Sequence, residues 1–194
     1  MELFPFLTFG IFSIRQFAPL NVREDGTYVF AGPIGDGHAP LVALQDIAFW
    51  VRHTFDNPEK TSGKDLEIAS DSFTWDELVA TFTKVTGKKA VYKRLTMDEF
   101  FDLFINADLE AATNQVRPTG SWRKTIGGVW ALLRDDILTR DFDWIRSVHP
   151  NTMTLERWMR ETQYDGTYQP LLKLVGQFFF NHHIMFGTEN SFLK

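Results

Sequence analysis

A strand followed by a helix, repeated three times before residue 107, is the pattern that most constrains this chain. Strands are predicted at 40–44, 65–69 and 90–92, and an earlier one at 27–30 precedes them. In the segments that follow the three later strands, apolar residues recur at the three- and four-residue spacing of one helix face. Alternating strands and helices are typical of α/β proteins. We therefore expect an α/β fold.

Residues that cap helices predict where the helices begin and end. Thr74 with Glu77, and Thr96 with Glu99, have the spacing of capping boxes, in which each side chain satisfies one free amide of the first turn. Gly87 is expected to end the helix that Thr74 begins.

The first helix is predicted to start at Asp46, because aspartate is a favoured N-cap residue. Asn57 and Pro58 are expected to end it. Its buried apolar face is predicted from residues with helical spacing, namely Ile47, Trp50, Val51 and Phe55.

Beyond residue 107 the pattern is mostly helical and rich in aromatic residues. Trp122 and Trp130 belong to one stretch, and Trp144 and Trp158 belong to two more, which Pro150 separates. We expect these helices to pack onto the α/β part.

Charge and composition exclude several classes of function. The chain has 20 Lys and Arg against 25 Asp and Glu, a formal net charge of −5. Nucleic-acid binders need a basic surface, so no direct nucleic-acid partner is expected; the basic residues at 88–89 and 93–94 are predicted to line a solvated strand edge. The chain has no cysteine, which is compatible with a cytoplasmic location. The apolar stretch 3–14 is too short to span a membrane, and no membrane partner is expected.

The glycines at 32, 35 and 37 suggest a phosphate-binding loop. Such a loop lies between a strand and a helix, so that backbone amides face the anion. Here His38-Ala39-Pro40 follows where a helix should begin, and Pro33 removes one donor. An ordinary turn-rich loop is the better prediction.

Other catalytic patterns are also missing from the sequence. No tyrosine is followed four residues later by the lysine that short-chain dehydrogenases commonly use. His182, His183 and Glu189 do not have the spacing of a zinc helix, since adjacent histidines point in different directions. Asp135 and Asp136 are predicted to lie on a solvated helix face. No catalytic residue and no metal site is predicted.

Several segments, in their order along the chain, resemble the NmrA-like proteins of fungi, which are atypical relatives of short-chain dehydrogenases. Together they cover about residues 21–174. They are Val22–His38, Leu44–Ile47, Ser62–Leu66, Phe82–Lys88, Arg140–Arg146, His149–Asn151 and Thr154–Glu156.

The resemblance implies a Rossmann-like protein in two parts. In the family, an N-terminal part binds NAD(P) through a Gly-x-x-Gly-x-x-Gly motif, and a smaller C-terminal part closes over it. The matched segments correspond to the last strands of the sheet and the mostly helical C-terminal part. By the same resemblance, Gly35, Asp36, Gly37 and His38 would lie on a loop near the cleft between the parts, and they are the candidate ligand-binding residues. A surface turn is the alternative.

The chain departs from the family pattern at both ends. Residues 1–20 form an atypical apolar N-terminus, 21–174 the NmrA-like portion, and 175–194 a divergent tail. The glycine fingerprint has no counterpart, so we expect a truncated Rossmann-like fold that holds no NAD(P) by itself. An open sheet edge and apolar helix faces are expected to follow from this truncation, with poor solubility in the absence of a partner.

Two functions remain open. The first is a non-catalytic regulatory or redox-sensing protein of the NmrA-like family, with a regulatory protein partner and a cytoplasmic or nuclear location. The alternative is an NAD(P)H-dependent oxidoreductase whose N-terminal half is missing here. A chain that makes no functional protein is a third hypothesis.

Overall fold

A computed structural model describes residues 19–105, 107–109 and 120–167. In this part, strands and helices alternate up to α4, and only helices follow among the described residues. In chain order they are β1 Asn21–Val22, β2 Tyr28–Gly32, β3 Ala39–Leu41, α1 Leu44–Asp56, α2 Pro58–Thr61, β4 Asp71–Phe73, α3 Trp75–Thr86, β5 Ala90–Arg94, α4 Met97–Phe101, α5 Trp122–Arg134, α6 Phe142–Val148 and α7 Leu155–Glu161.

The strands of the described part form two small sheets. In the larger one the order is β1-β2-β5, with β1 antiparallel to β2 and β5 parallel to it. The parallel register runs from Tyr28 opposite Ala90 to Gly32 opposite Arg94. β3 and β4 pair antiparallel in the second sheet. β2 is the central strand, and its side chains after Tyr28 are buried.

The core between the larger sheet and the helices is built from aromatic rings. Phe30 of β2 packs edge-on against Phe82 of α3, and Trp75 packs edge-on against Trp130 of α5. Each of these four side chains is buried, and edge-to-face pairs add to the stabilisation from burial alone. The predicted class, an α/β Rossmann-like fold with the last strands of a sheet and a mostly helical C-terminal part, is confirmed.

The predicted capping residues are confirmed where the interaction is local. Thr74 and Glu77 form a capping box at the start of α3, and Thr96 and Glu99 form one at the start of α4. Gly87 ends α3 with a φ of 70°, a left-handed conformation that glycine adopts without strain.

The prediction for the first helix was wrong in two respects. α1 begins at Leu44 after Ala43, so Asp46 is not the N-cap but a buried residue of the first turn. Trp50 is buried as predicted, whereas Val51 and Phe55 are 51% and 79% exposed. Helical spacing identified a row of apolar residues, but only Ile47 and Trp50 of that row pack against other elements, and Val51 and Phe55 face solvent.

The strand predicted at 65–69 lies further along the chain in the structure. Residues 65–69 lie in no sheet, and β4 begins at Asp71. The apolar alternation there reflects packing: Ile68 and Ala69 contact the cluster around Trp50. β3 has three residues, and it pairs with Asp71–Phe73.

Two of the predicted domain segments lie largely or wholly beyond the described residues. These are the apolar N-terminus 1–20, of which residues 19 and 20 are described, and the divergent tail 175–194. His182, His183 and Glu189 also lie outside the described part, and the domain boundaries stay predictions. In the part of the chain that the structure describes, no helix is both long and apolar enough to cross a membrane.

Candidate functional site

The four predicted site residues lie at the edge of the sheet where the parallel strands end. β2 and β5 run in the same direction, so Gly32 and Arg94 end them side by side. The segment 33–38, here called the strand-end loop, leaves β2 at this edge and carries Gly35, Asp36, Gly37 and His38. In open α/β sheets, ligands bind in the crevice outside the carboxyl ends of the strands. Its position therefore makes this loop the candidate site.

Two glycines let the strand-end loop pack against the end of α5. Gly35 has a φ of +60°, a left-handed backbone conformation that residues with a side chain rarely adopt. A Cβ atom at Gly37 would lie 2.2 Å from the carbonyl oxygen of Leu133 and 2.7 Å from the Cα atom of Arg134. Gly37 is thus the point of closest approach between the loop and α5.

Arg94 connects the loop to two other elements. Its Nη1 lies 2.5 Å from Oδ1 of Asp36, and its Nη2 donates to Asp76 of α3 at 2.7 Å. The hydrogen bond to Asp36 is the main reason that the pKa of Arg94 is raised. The hydroxyl of Tyr92 donates to the carbonyl oxygen of Gly32 at 3.0 Å. These contacts fix the loop to β5 and to the start of α3.

His38 is held by a carboxylate that the sequence did not connect to it. Its backbone N–H donates to Oδ1 of Asp136 at 2.7 Å, and its ring Nδ1 lies 3.1 and 3.2 Å from the two carboxylate oxygens. The backbone hydrogen bond is the largest cause of the lowered pKa of Asp136. Asp135 and Asp136 are exposed to solvent as predicted, but they follow the end of α5 instead of lying on a helix face. Asp136, with a φ of 49°, anchors the loop.

Charge at this edge does not suit the pyrophosphate of a dinucleotide. The charged residues around the loop carry a formal −2 when His38 is neutral, because four carboxylates face two guanidinium groups. They are Asp36, Asp76, Asp135 and Asp136 against Arg94 and Arg134. The nearby helix starts are also occupied, since the capping boxes of α3 and α4 place a glutamate on each of them. Helix N-termini that already hold carboxylates offer little to a further anion.

A second polar centre is buried beneath α1. Asp46 is 3% exposed, and its carboxylate accepts hydrogen bonds from Ser70 Oγ, from Thr152 Oγ1 at 3.0 Å and from the backbone N–H of Met153 at 2.8 Å. Its other oxygen lies 2.9 Å from Nε2 of His149. Burial raises the pKa of Asp46, but these hydrogen bonds outweigh it and the pKa lies below its ordinary value. The sequence predicted neither a buried carboxylate nor this partner for His149.

His149 also closes an aromatic cluster on α1. Its ring stacks on Phe49 with the centroids 3.8 Å apart, and Trp50 stacks on Trp144 of α6 at 5.2 Å. The second polar centre therefore joins α1 to α6 and to the loop after it. Asp46, Ser70 and Thr152 are buried and hydrogen-bonded to one another, which indicates a structural centre rather than an open site.

Comparison with known protein families identifies the family of this chain. The family model described as NmrA-like family matches residues 4–119, which is more than half of the chain. The chain belongs to the NmrA-like family. An NmrA-like family domain-containing oxidoreductase from Cladobotryum sp, FrzB, is 35% identical over 117 residues, which are 57% of this chain and 34% of that protein. The chain thus spans about a third of the length of this curated relative.

Solved structures resemble the described fold. A nucleoside-diphosphate-sugar epimerase from Staphylococcus aureus superposes with a TM-score of 0.52 at 17% identity, over 68% of this chain and 43% of that one. The NADPH-dependent quinone oxidoreductase QOR2 of Escherichia coli, solved with NADPH, gives a TM-score of 0.49 at 17% identity, over 70% and 45%. At such identities the likeness concerns the fold alone. As an NmrA-like protein, the chain is a relative of NAD(P)-dependent reductases.

Proposed function

We propose that this chain is a non-catalytic, regulatory or redox-sensing member of the NmrA-like family and does not hold NAD(P) by itself. The observation that carries the proposal is that the residues of the strand-end loop are paired with, or packed against, other parts of the chain. Asp36 is paired with Arg94, His38 with Asp136, and Gly37 is packed against α5. The polar groups that would have to meet a dinucleotide are engaged with each other, in surroundings of negative charge.

Calorimetric titration of the purified chain with NAD and NADP, beside a thermal melt, tests the proposal. We expect no saturable heat and no shift of the melting temperature, because a ligand that binds only the folded state would raise it. QOR2, solved with NADPH, is the positive control. Saturable binding would refute the proposal, and the Asp36→Asn and His38→Asn variants would then show whether the strand-end loop is responsible.

A regulatory protein partner is part of the proposal, and exposed apolar residues on α1 support it. Leu44, Val51 and Phe55 are each more than half exposed and recur at helical spacing. Exposed apolar patches of this kind are common at protein–protein contacts. The proposed location is the cytoplasm or the nucleus.

One observation favours a second function. FrzB, to which the chain is 35% identical, is described as an oxidoreductase. Under this alternative, the chain is the C-terminal portion of an NAD(P)H-dependent oxidoreductase, and a preceding segment supplies the Gly-x-x-Gly-x-x-Gly motif. Sequencing the transcript for such a segment, followed by an assay of NADPH oxidation by the longer product, separates the two functions. Turnover supports the enzyme, and dinucleotide binding without turnover supports the regulator.

A further inference from the structure

A basic segment at the end of β5 leads directly into an exposed threonine. Lys93 and Arg94 are the last two residues of the strand, and Lys93 is partly exposed. Leu95 continues the ladder, because its N–H donates to the carbonyl oxygen of Gly32 at 3.3 Å. Thr96 follows as the N-cap of α4, exposed to solvent and extended, with a φ of −71° and a ψ of 165°. An extended stretch therefore carries two cations, three and two residues before a hydroxyl group.

This spacing is the pattern that basophilic serine/threonine kinases recognise in substrates bound as extended segments. Carboxylates of such a kinase bind the cations that precede the acceptor hydroxyl, and an apolar pocket takes the residue that follows it, so the charge pattern determines the substrate. The residue that follows Thr96 is Met97. Thr96 is the only serine or threonine of the sequence that has a basic residue both two and three positions before it.

The groups that a kinase would have to contact can be reached from solvent. The side chain of Arg94 is 49% exposed, and its partners Asp36 and Asp76 are exposed too. Exposed ion pairs contribute little free energy, so Arg94 can exchange these carboxylates for those of a kinase. The hydroxyl oxygen of Thr96 accepts from the N–H of Glu99 at 3.2 Å, in an exposed hydrogen bond. The acceptor is therefore held only weakly.

We propose that Thr96 is the phosphoacceptor of a basophilic serine/threonine kinase. The kinase transfers the γ-phosphoryl group of ATP to Oγ1 of Thr96. The bond from the γ-phosphorus to the oxygen that bridges it to the β-phosphate breaks, a P–O bond to Thr96 forms, and ADP leaves. The hydroxyl proton passes to the catalytic aspartate of the kinase. The site involves no dinucleotide, so it does not depend on the proposed function.

A phosphate on Thr96 disrupts the capping box of α4. It carries about −1.5 to −2 charges at pH 7 and repels the carboxylate of Glu99, which accepts from the backbone N–H of Thr96 at 2.7 Å. α4 also carries Phe100, which is buried and packs edge-on against Trp130 of α5 with the ring centroids 5.3 Å apart. Phosphorylation should therefore loosen the contact between α4 and α5.

The test is phosphorylation of the folded chain by the catalytic subunit of the cyclic-AMP-dependent protein kinase, a basophilic enzyme, with Mg²⁺ and ATP. We expect close to one phosphate per chain, located at Thr96 by mass spectrometry of the peptides. Lys93→Ala should slow the incorporation by about tenfold or more, because one charge-assisted contact with the kinase is lost. Incorporation at other residues instead of Thr96, or a rate that Lys93→Ala leaves unchanged, would overturn the proposal.

Thr74 is a matched control within the same chain. It begins α3 with the same kind of capping box and is also followed by a glutamate three residues later, but residues 71 and 72 are Asp and Ser. We expect no phosphate there. Equal phosphorylation of Thr74 and Thr96 would show that the preceding cations do not select the site, and would overturn the proposal. Thr96→Asn keeps a favoured cap residue without the hydroxyl and should take up no phosphate.

A synthetic peptide of residues 90–100 tests whether the folded chain presents the segment. Phosphorylation of this peptide by the kinase while the folded chain stays unmodified would overturn the proposal. A thermal melt of the phosphorylated chain tests the effect on α4. We expect the melting temperature to fall by about 3–6 °C, because the cap of α4 is lost. An unchanged melting temperature would disprove the loosening of α4.

Discussion

Replacing Asp46 by asparagine removes the charge at the polar centre beneath α1 with the smallest change of shape. The carboxylate accepts from Ser70, Thr152 and Met153 and lies against His149. An amide can keep its oxygen toward Ser70, Thr152 and Met153 and turn its NH2 group to Nε2 of His149, which accepts in the tautomer protonated on Nδ1, but the three donors then meet a neutral oxygen instead of a charged one. Hydrogen bonds to a buried charged group contribute roughly 1.5–3 kcal/mol each. We expect Asp46→Asn to lower the free energy of unfolding by about 3 kcal/mol.

Urea unfolding at pH 7, followed by tryptophan fluorescence, measures this loss, because Trp50 and Trp144 lie beside the centre. The control is Asp56→Asn at the end of the same helix, where the carboxylate is exposed and pairs with Arg52. Exposed pairs of this kind contribute about 0.5 kcal/mol or less. If Asp46→Asn costs no more than Asp56→Asn, the importance assigned to the buried centre is wrong.

The pH dependence supplies a second check on the same variant. The pKa of Asp46 in the folded chain is lowered from an ordinary value of 3.8. Its contribution is therefore complete above pH 3.8 and is lost as the pH falls through the lower folded pKa. The difference in unfolding free energy between wild type and Asp46→Asn should shrink below about pH 3.8. A difference that stays constant between pH 7 and that range would contradict the assignment of the ionised carboxylate.

Two further changes test the loop and the exposed helix face. Gly37→Ala places a Cβ against Leu133 and should lower the free energy of unfolding by about 1–3 kcal/mol. The control Gly128→Ala, in open space within α5, should raise it by about 0.5–1 kcal/mol. A Gly37→Ala protein as stable as wild type would disprove the close approach. Phe55→Ser, at a position 79% exposed, should leave the unfolding free energy within about 0.5 kcal/mol while reducing light scattering from aggregates, and unchanged scattering would show that this face does not drive association.

Local chemistry was readable from the sequence, and long-range contacts were not. Thr74 with Glu77 and Gly87 were predicted correctly because a capping box and a left-handed helix end depend on residues within one turn. Asp46 was misassigned because aspartate at a helix start is usually an N-cap, and three of its partners, His149, Thr152 and Met153, lie more than 100 residues away. No local pattern distinguishes a capping carboxylate from a buried one.

The candidate site shows the same division. The family resemblance located Gly35, Asp36, Gly37 and His38 on one loop, and the structure places that loop at the carboxyl edge of β2. Its anchor Asp136 is 98 residues from His38. In the sequence, two adjacent aspartates do not differ from those at an ordinary solvent-exposed helix end, so this contact could not be predicted. Ligand binding by the loop stays a prediction.

The buried carboxylate also sets an order of events during synthesis. Asp46 leaves the ribosome about a hundred residues before Thr152 and Met153, from which it is separated by 106 and 107 positions. Until those donors and His149 arrive, Ser70 alone among the described partners of Asp46 can donate to its carboxylate, so burying the start of α1 costs more free energy. Closing so long a loop is slow compared with forming local helices. Nascent chains that stop before Met153 should therefore keep α1 detached from the core, where chaperones and proteases can reach it.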